Sequence, residues 1–590
     1  MKPVAGSTPI ETPDLSGAYP RLSQAQIELL GRAGTSRATS AGEVLIQEGT
    51  VEADFFVILQ GTVLVVEGLH AAAGGRQTAE LGPNARTLEV HGPGRFLGEL
   101  GVVEGQPAFV SAVSAEAGEV LQISGEDLRR AVLTDAAVGE TILRAYLQRR
   151  ILLISAGAGM RIVGSRFSRD TLRLLEFAAA NRLPHLLVDL EDDEQAQGIL
   201  DRAGILADEL PAVVLSASQV LKNPSNADLA LAMGLRTVKE HSASYDLMVI
   251  GAGPAGLAAA VYAASDGLSV VLKEGFAIGG QAGTSSRIEN FLGFPAGISG
   301  GELTERAIIQ ARKFSVQTNV ACWARTIELK DGEFHAEFNE SGPASSRAAL
   351  LATGVRYRRL PVPGLEKFEG ISVFYAATVH EARLCGLQPV TVVGGGNSAG
   401  QAALFLVGTG AQVRLVVRGA DLRADMSRYL ADRIEEQPGI EVLLGANIVA
   451  VDGSGALERI VVDLGATGEQ RIFDSRYLFI FIGAAPHTGW LQGTVALDDH
   501  GFVLTGADLE DLPPEFSHLG RRRLPLETSV PGMFAAGDVR HGSVKRVTAA
   551  AGEGSTAVAM IHEHLRLLRD GPAHSGARNG ESPAGGSPRL

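Results

Sequence analysis

The chain has 590 residues, 45% hydrophobic and 20% charged, an ordinary composition for folded proteins and a poor one for extended disorder. At ~100–200 residues per domain that length predicts roughly three to five folding units. With 52 basic against 67 acidic side chains, the net charge of −15 repels phosphate backbones and anionic lipid, so neither nucleic acid nor membrane is an expected partner.

Residues 1–20 and 571–590 are rich in small and polar residues without periodicity and read as flexible tails. Met1–Ser16 lacks a basic segment followed by an apolar run, and no segment offers ~18 uninterrupted apolar residues, which predicts a cytoplasmic protein. The first domain is expected over 21–155. Its runs VLIQEG at 44–49, DFFVILQG at 54–61 and TVLVVEG at 62–68 are short strands broken by glycine, the pattern of an all-β jelly roll or barrel. Leu128, Val132, Ile142, Leu143, Tyr146 and Leu147 then recur with helical spacing, predicting one connecting helix over Glu126–Ile154.

This first domain resembles cyclic-nucleotide-binding domains of the catabolite activator type. The residues that carry the resemblance are Gly42, Gly49 and Gly61 at strand turns and FLGELGVVEGQPAFVSAV at 96–113, which is similar to that family's phosphate-binding cassette. The resemblance implies that Gly98, Glu99 and Leu100 open a short helix whose N–H groups receive a cyclic phosphate while Glu99 takes a ribose hydroxyl. The arginine that should pair with the phosphate is missing, because Ala108 and Phe109 stand there. A regulatory or interaction module is therefore expected in preference to a cyclic-nucleotide sensor.

Over 156–240 the order is strand (159–165), helix (Thr171–Asn181), strand (185–191), a helical DDEQAQGILDRAG, and a strand that opens on Leu210-Pro211. It resembles a thioredoxin or glutaredoxin α/β fold, in which that proline is cis. Redox members carry CxxC after the first strand, whereas this chain has SRFSRDT at 165–171. A docking module without redox chemistry is expected.

From Tyr245 the chain combines an apolar strand, glycines Gly251, Gly253 and Gly256 in GxGxxG spacing, a helix that begins Pro254-Ala255, and a second strand ending at Glu274. Each glycine has a mechanical reason: a tight turn, backbone approach to a diphosphate, and close helix–strand packing, with Glu274 suited to a ribose hydroxyl. A second fingerprint at 389–419 places Gly394, Gly396 and Ala399, with Asn397 and Ser398, at another strand-to-helix turn. Two Rossmann-like α/β folds imply two dinucleotides. The second strand ends at Val417 with Arg418 and then Arg423, cations that suit a 2′-phosphate, so NADPH is expected over NADH.

Together with GGQAG at 279–283, IENFLGFP at 288–295, LATG at 351–354 and VPGMFAAGDVRHGSVKRVTAAAGEG at 530–554, residues 243–567 closely resemble low-molecular-weight thioredoxin reductases. That resemblance implies an FAD domain over 243–360 and 485–570, an NAD(P) domain over 361–484, and a homodimer. It places Gln281 and Asn290 along the isoalloxazine and ribityl chain, Thr353 and Gly354 in the FAD site, Gly537 and Asp538 at the ribityl or diphosphate region, and Arg546 and Val547 at the flavin ring. The family's Cys-Ala-Thr-Cys is replaced by Ala376-Ala377-Thr378-Val379, which has no redox chemistry. The two cysteines, Cys322 and Cys385, have neither redox-pair nor zinc spacing and are expected to be buried, with no metal site.

The expected function is an NAD(P)H-dependent FAD oxidoreductase with N-terminal regulatory modules, passing electrons from the flavin to an acceptor, a small redox protein among the candidates. A ferredoxin–NADP reductase of the thioredoxin reductase-like type and a non-turnover redox or ligand sensor stay open, and no catalytic side chain is assigned.

Overall fold

The computed structural model describes residues 10–570, apart from 15–16, 51–52, 68–85, 100–105, 156–158, 192–195, 217–218, 237–243, 286, 370, 376, 378, 466–467 and 510–520. Leu100, Ala376, Thr378 and most of the two expected tails thus lie outside the described residues.

The N-terminal strands form two four-stranded antiparallel sheets. One runs Thr35–Thr39, Gly118–Ile123, Phe55–Gln60, Phe96–Leu97; the other runs Val44–Ile46, Ser111–Ser114, Val63–Glu67, Arg86–His91. Phe55, Val57, Phe96, Leu121 and Ile123 alternate inward to fill one core together with Leu128 and Ile142 from the helices that follow. The single connecting helix expected over Glu126–Ile154 is in fact two, Gly125–Thr134 and Ala136–Ser155. Asp135 makes the break: its backbone is extended, and its carboxylate accepts the N–H of Val138 at 2.9 Å, capping the second helix. An Asp favours the cap over the helix interior because its short side chain competes for backbone donors, a preference that apolar periodicity does not register.

The next unit has a sheet ordered His185–Asp189, Met160–Gly164, Ala212–Ser216, Gln219–Lys222. The first pair is parallel and the other two are antiparallel. Helices Arg169–Ala180, Ala196–Ala203 and Asn226–Ala232 accompany it, and the Leu210–Pro211 bond is cis.

Two further α/β units follow, the second inserted into the first. The larger sheet orders Gln317–Asn319, Val270–Lys273, Tyr245–Ile250, Ser341–Leu351, Glu333–Phe338, Ala324–Lys330, with Met533–Ala535 pairing in parallel with Ser341–Leu351. Helix Pro254–Ser265 buries Ala255, Leu257, Ala259, Ala260, Val261 and Ala263 and packs against the C-terminal helix Val547–Asp570. The inserted sheet is all parallel, ordered Val373–Phe374, Tyr477–Ile480, Pro389–Val393, Gln412–Val417, Ile440–Leu444. Its strands are nearly continuous runs of Val, Ile and Leu, as strands covered on both faces require. The chain leaves and re-enters the first unit through a two-stranded ribbon, Val355–Tyr357 against Ala484–Pro486.

Candidate functional site

The first fingerprint turn is built by steric exclusion at two glycines and by open space at the third. Gly251 has φ +107, and a β-carbon on it would stand 2.3 Å from Ala352 O; one on Gly256 would stand 1.9 Å from Gly251 O. Those two positions are closed to any side chain. A β-carbon on Gly253 meets nothing within 4 Å, and Gly253 is the N-cap of helix Pro254–Ser265 with no side chain capping the free N–H groups. Space and uncapped donors at a helix N-terminus are what a diphosphate needs.

Glu274 braces the turn. Its carboxylate accepts the N–H of Ala252 at 2.7 Å and of Phe276 at 2.9 Å, while burial pushes its pKa up against those donors. Ala255 touches the other end of the site: a β-carbon on Gly554 of the C-terminal helix would be 2.1 Å from Ala255 O, and one on Gly537 would be 2.9 Å from Ala255 Cβ. The starts of both helices and the Gly537-Asp538 turn therefore converge. Asp538 is half-buried and its carboxylate makes no hydrogen bond among the described residues; burial pushes its pKa up, with Lys545 opposing. An orphaned carboxylate beside an open helix N-terminus fits the ribityl hydroxyls and diphosphate of FAD. These residues would hold that group.

The remaining expected contacts are distributed around this centre. Gln281 Nε2 donates to Val355 O, in the ribbon between the two units, and Thr353 Oγ1 donates to His487 O at 3.2 Å, on the residue that follows the ribbon. Gly354 has φ +61 and open space beyond it. Asn290 and Arg546 are exposed, and Val547 begins the C-terminal helix. One contributor escaped sequence reasoning: Glu553 accepts the N–H of Gly537 at 2.7 Å and pairs with Arg540 at 2.6 Å, fixing the turn before Asp538. No local pattern marks it, because it acts from across the helix.

The second fingerprint repeats the design. Gly394, at φ +141, would place a β-carbon 2.3 Å from Phe481 O, whereas one on Gly396 meets only Asp425 O, at 4.0 Å. Gly396 caps helix Asn397–Gly408 without a side-chain acceptor, Ala399 is fully buried beneath the turn, and Ser398 is exposed at its mouth. Asn397 is already engaged, accepting the N–H of Ser427 at 2.7 Å. The two candidate cations differ. Arg418 is exposed without a carboxylate partner among the described residues, but Arg423 is forked onto Glu435 and Asp432, each at 2.7 Å.

Cys322 and Cys385 are free, buried, and in different hydrophobic cores. Burial pushes both thiols up, Cys385 to about 12, away from the thiolate that disulfide exchange requires. In the N-terminal domain, Glu99 of the cassette is 2% exposed and paired with Arg149 at 2.8 Å. Arg149 also donates to Ala18 O and Phe96 O and lies over the Phe96 ring. The carboxylate that the resemblance reserved for a ligand hydroxyl is held by the chain's own arginine. Phe109, one residue past the place of the missing arginine, packs against the middle unit.

Paired strand–turn–helix fingerprints, one unit inserted in the other, define a two-dinucleotide oxidoreductase fold. Comparison with known proteins agrees: residues 245–554 match the model of pyridine nucleotide-disulphide oxidoreductases, and the chain belongs to that family. Residues 36–135 match the cyclic nucleotide-binding domain. The chain is 35% identical over 336 residues to a thioredoxin reductase of Eremothecium gossypii, spanning 55% of this chain and 99% of that protein. It is 30% identical over 320 residues to a 34.2 kDa protein in a rubredoxin operon of Clostridium pasteurianum, 54% of this chain and 97% of that one. Thioredoxin reductase of Lactococcus lactis superposes with a TM-score of 0.49 at 25% identity, over 55% of this chain and all of that one. Use of FAD and a nicotinamide dinucleotide follows from the family. Among the described residues no helix is long and apolar enough to cross a membrane, and no group of ligating side chains could hold a metal.

Proposed function

We propose that the protein is an NADPH-dependent FAD oxidoreductase that delivers electrons from the flavin directly to an external acceptor, without a thiol relay. The observation that carries this reading is the combination of two intact dinucleotide turns with two buried, separated cysteines. When bound, the flavin supplies the two-electron chemistry. The chain's own residues bind and orient: Gly253 and the first turn of its helix receive the diphosphate, Glu274 the adenosine ribose, Asp538 the ribityl hydroxyls, and Gln281, Asn290, Arg546 and Val547 the ring region. Gly396, Asn397 and Ser398 face the second dinucleotide, with Arg418 as the cation for a 2′-phosphate, since Arg423 is committed to Glu435 and Asp432.

The middle unit reads as a thioredoxin-like module, supported by its strand order and the cis proline at a strand entry. Ser165, Arg166 and Ser168 occupy the place of a redox motif, so its role is docking. The N-terminal domain reads as a regulatory or interaction module, because Arg149 already engages one oxygen of Glu99 and no arginine stands at Ala108. A small redox protein is the proposed acceptor, and the likeness to a protein of a rubredoxin operon makes an iron–sulfur or iron–thiolate carrier the first to try. The test is anaerobic NADPH titration of the purified protein, followed by an acceptor screen. Bleaching of the flavin with steady turnover on such a carrier is expected; bleaching without turnover on any acceptor would favour a sensor.

A further inference from the structure

The two N-terminal units meet the flavin domain at a buried carboxylate, Glu305, which is 5% exposed on helix Gly300–Lys313. Three groups from outside the flavin domain converge on it. Tyr146 of the connecting helix Ala136–Ser155 donates its hydroxyl at 3.1 Å, Arg150 of the same helix lies at 3.4 Å, and Arg182 of the middle unit lies at 2.6 Å. Arg150 is itself anchored, donating to the carbonyls of Arg182 and Asn181 at the end of helix Arg169–Ala180. A β-carbon on Gly301 would come within 3.1 Å of Arg182 Nη1, so the helix gives up a side chain where the guanidinium approaches.

On its other face the same helix turn is bolted to the short helical turn Gly280–Gly283 and its N-cap Gly279, which together form the flavin-side loop. A β-carbon on Gly279 would sit 2.6 Å from Thr304 Oγ1, and one on Gly300 would sit 1.7 Å from Ala282 O. With no spare room between them, a shift of the helix must move the loop, and Gln281 with it. The middle unit braces the start of this segment as well: Asn181 Nδ2 donates to Phe276 O at 3.2 Å, and Phe177 meets Phe276 edge-on at 5.9 Å.

We propose that Glu305 is a positioning residue for the flavin-side loop, the point through which the connecting helix and the middle unit set the geometry of Gln281. This rests on the flavin reading given above. Removing the charge leaves two arginines facing one another across the junction, which should displace the helix and loosen the loop rather than unfold the sheet. The experiment uses the full chain and its Glu305→Gln variant, stripped of FAD and reconstituted, with flavin absorbance and fluorescence recorded alongside far-ultraviolet circular dichroism. The expected result is FAD affinity about tenfold weaker and a changed flavin spectrum with secondary structure retained. Glu305→Asp, which keeps the charge, should restore part of both. If Glu305→Gln does not fold, Asn181→Ala and Arg182→Gln, on half-exposed residues, carry the same expectation at smaller size. A folded Glu305→Gln, or Asn181→Ala and Arg182→Gln together, with an unchanged spectrum and affinity within about twofold overturns the proposal, even if its melting temperature falls. A wild-type chain that takes up no FAD would instead overturn the functional reading on which it rests.

Discussion

The dinucleotide turns and the N-terminal modules treat their ligand-facing groups in opposite ways. At Gly253 and Gly396 the chain withholds atoms: no side chain caps either helix, and the space in front is open. At Glu99 of the N-terminal domain it supplies one, with Arg149 bonding one carboxylate oxygen, and in the middle unit Ser168 caps helix Arg169–Ala180. A site that keeps its donors unsatisfied bears the cost of doing so only if something external satisfies them. On our proposed reading, the open turns are where a ligand completes the structure, whereas at Glu99 the chain itself supplies one partner.

The sharpest break of that comparison lies among the glycines of one turn. Gly253→Val should leave the fold intact, because its β-carbon points into open space, while abolishing FAD retention. Gly256→Val should prevent folding, since the added carbon would lie 1.9 Å from Gly251 O. Flavin absorbance against circular dichroism separates the two. Retained stoichiometric FAD in a folded Gly253→Val protein would remove the site assignment.

Next in size is the buried Arg149–Glu99 pair. Arg149→Met strands Glu99, a buried carboxylate, and breaking a buried pair in this way costs about 3–5 kcal/mol. The urea midpoint of the first unfolding transition should drop accordingly. If Arg149→Met is neutral and cyclic AMP then protects the domain from unfolding, the arginine was a gate rather than a strut.

How much of this was legible beforehand follows the same division. The glycine fingerprints declare themselves because their reasons are local, a turn and a helix start within a few residues. The Asp135 break was missed because capping leaves no trace in apolar spacing. Arg149–Glu99, Glu553–Gly537 and the Glu305 junction join residues that are distant in sequence, and nothing near any one of them announces its partner. Arg423 shows the reverse case: at the right distance along the strand to meet a 2′-phosphate, it is paired with two acids one helix later, which the strand's own sequence does not reveal.

That pairing sharpens the nucleotide preference into a contrast between neighbours. Arg418→Ala should reduce the ratio of NADPH to NADH efficiency by about tenfold or more, as loss of a charge-assisted phosphate contact implies. Arg423→Ala should change it much less, because its guanidinium is held by Glu435 and Asp432. Steady-state kcat/KM for both cofactors measures each effect. Equal losses in the two variants would mean that Arg423 leaves its acids when the cofactor arrives.

The smallest expected effect is none at all, and it bears on how electrons leave. A thiol relay needs two sulfurs with Cα atoms ~4.4–6.8 Å apart and one of them able to ionise. Cys322 packs in the core beneath the larger sheet, where its thiol donates to Asn319 O at 3.2 Å, and Cys385 is fully buried in the inserted unit. Burial pushes the pKa of each thiol above the ordinary cysteine value, which disfavours the thiolate at neutral pH. The double variant Cys322→Ser, Cys385→Ser should therefore keep the wild-type rate of NADPH oxidation with an artificial acceptor, measured anaerobically at matched FAD content. Collapse of turnover in either single variant, with FAD still bound, would show that a dithiol path exists and that the electrons do not leave from the flavin directly.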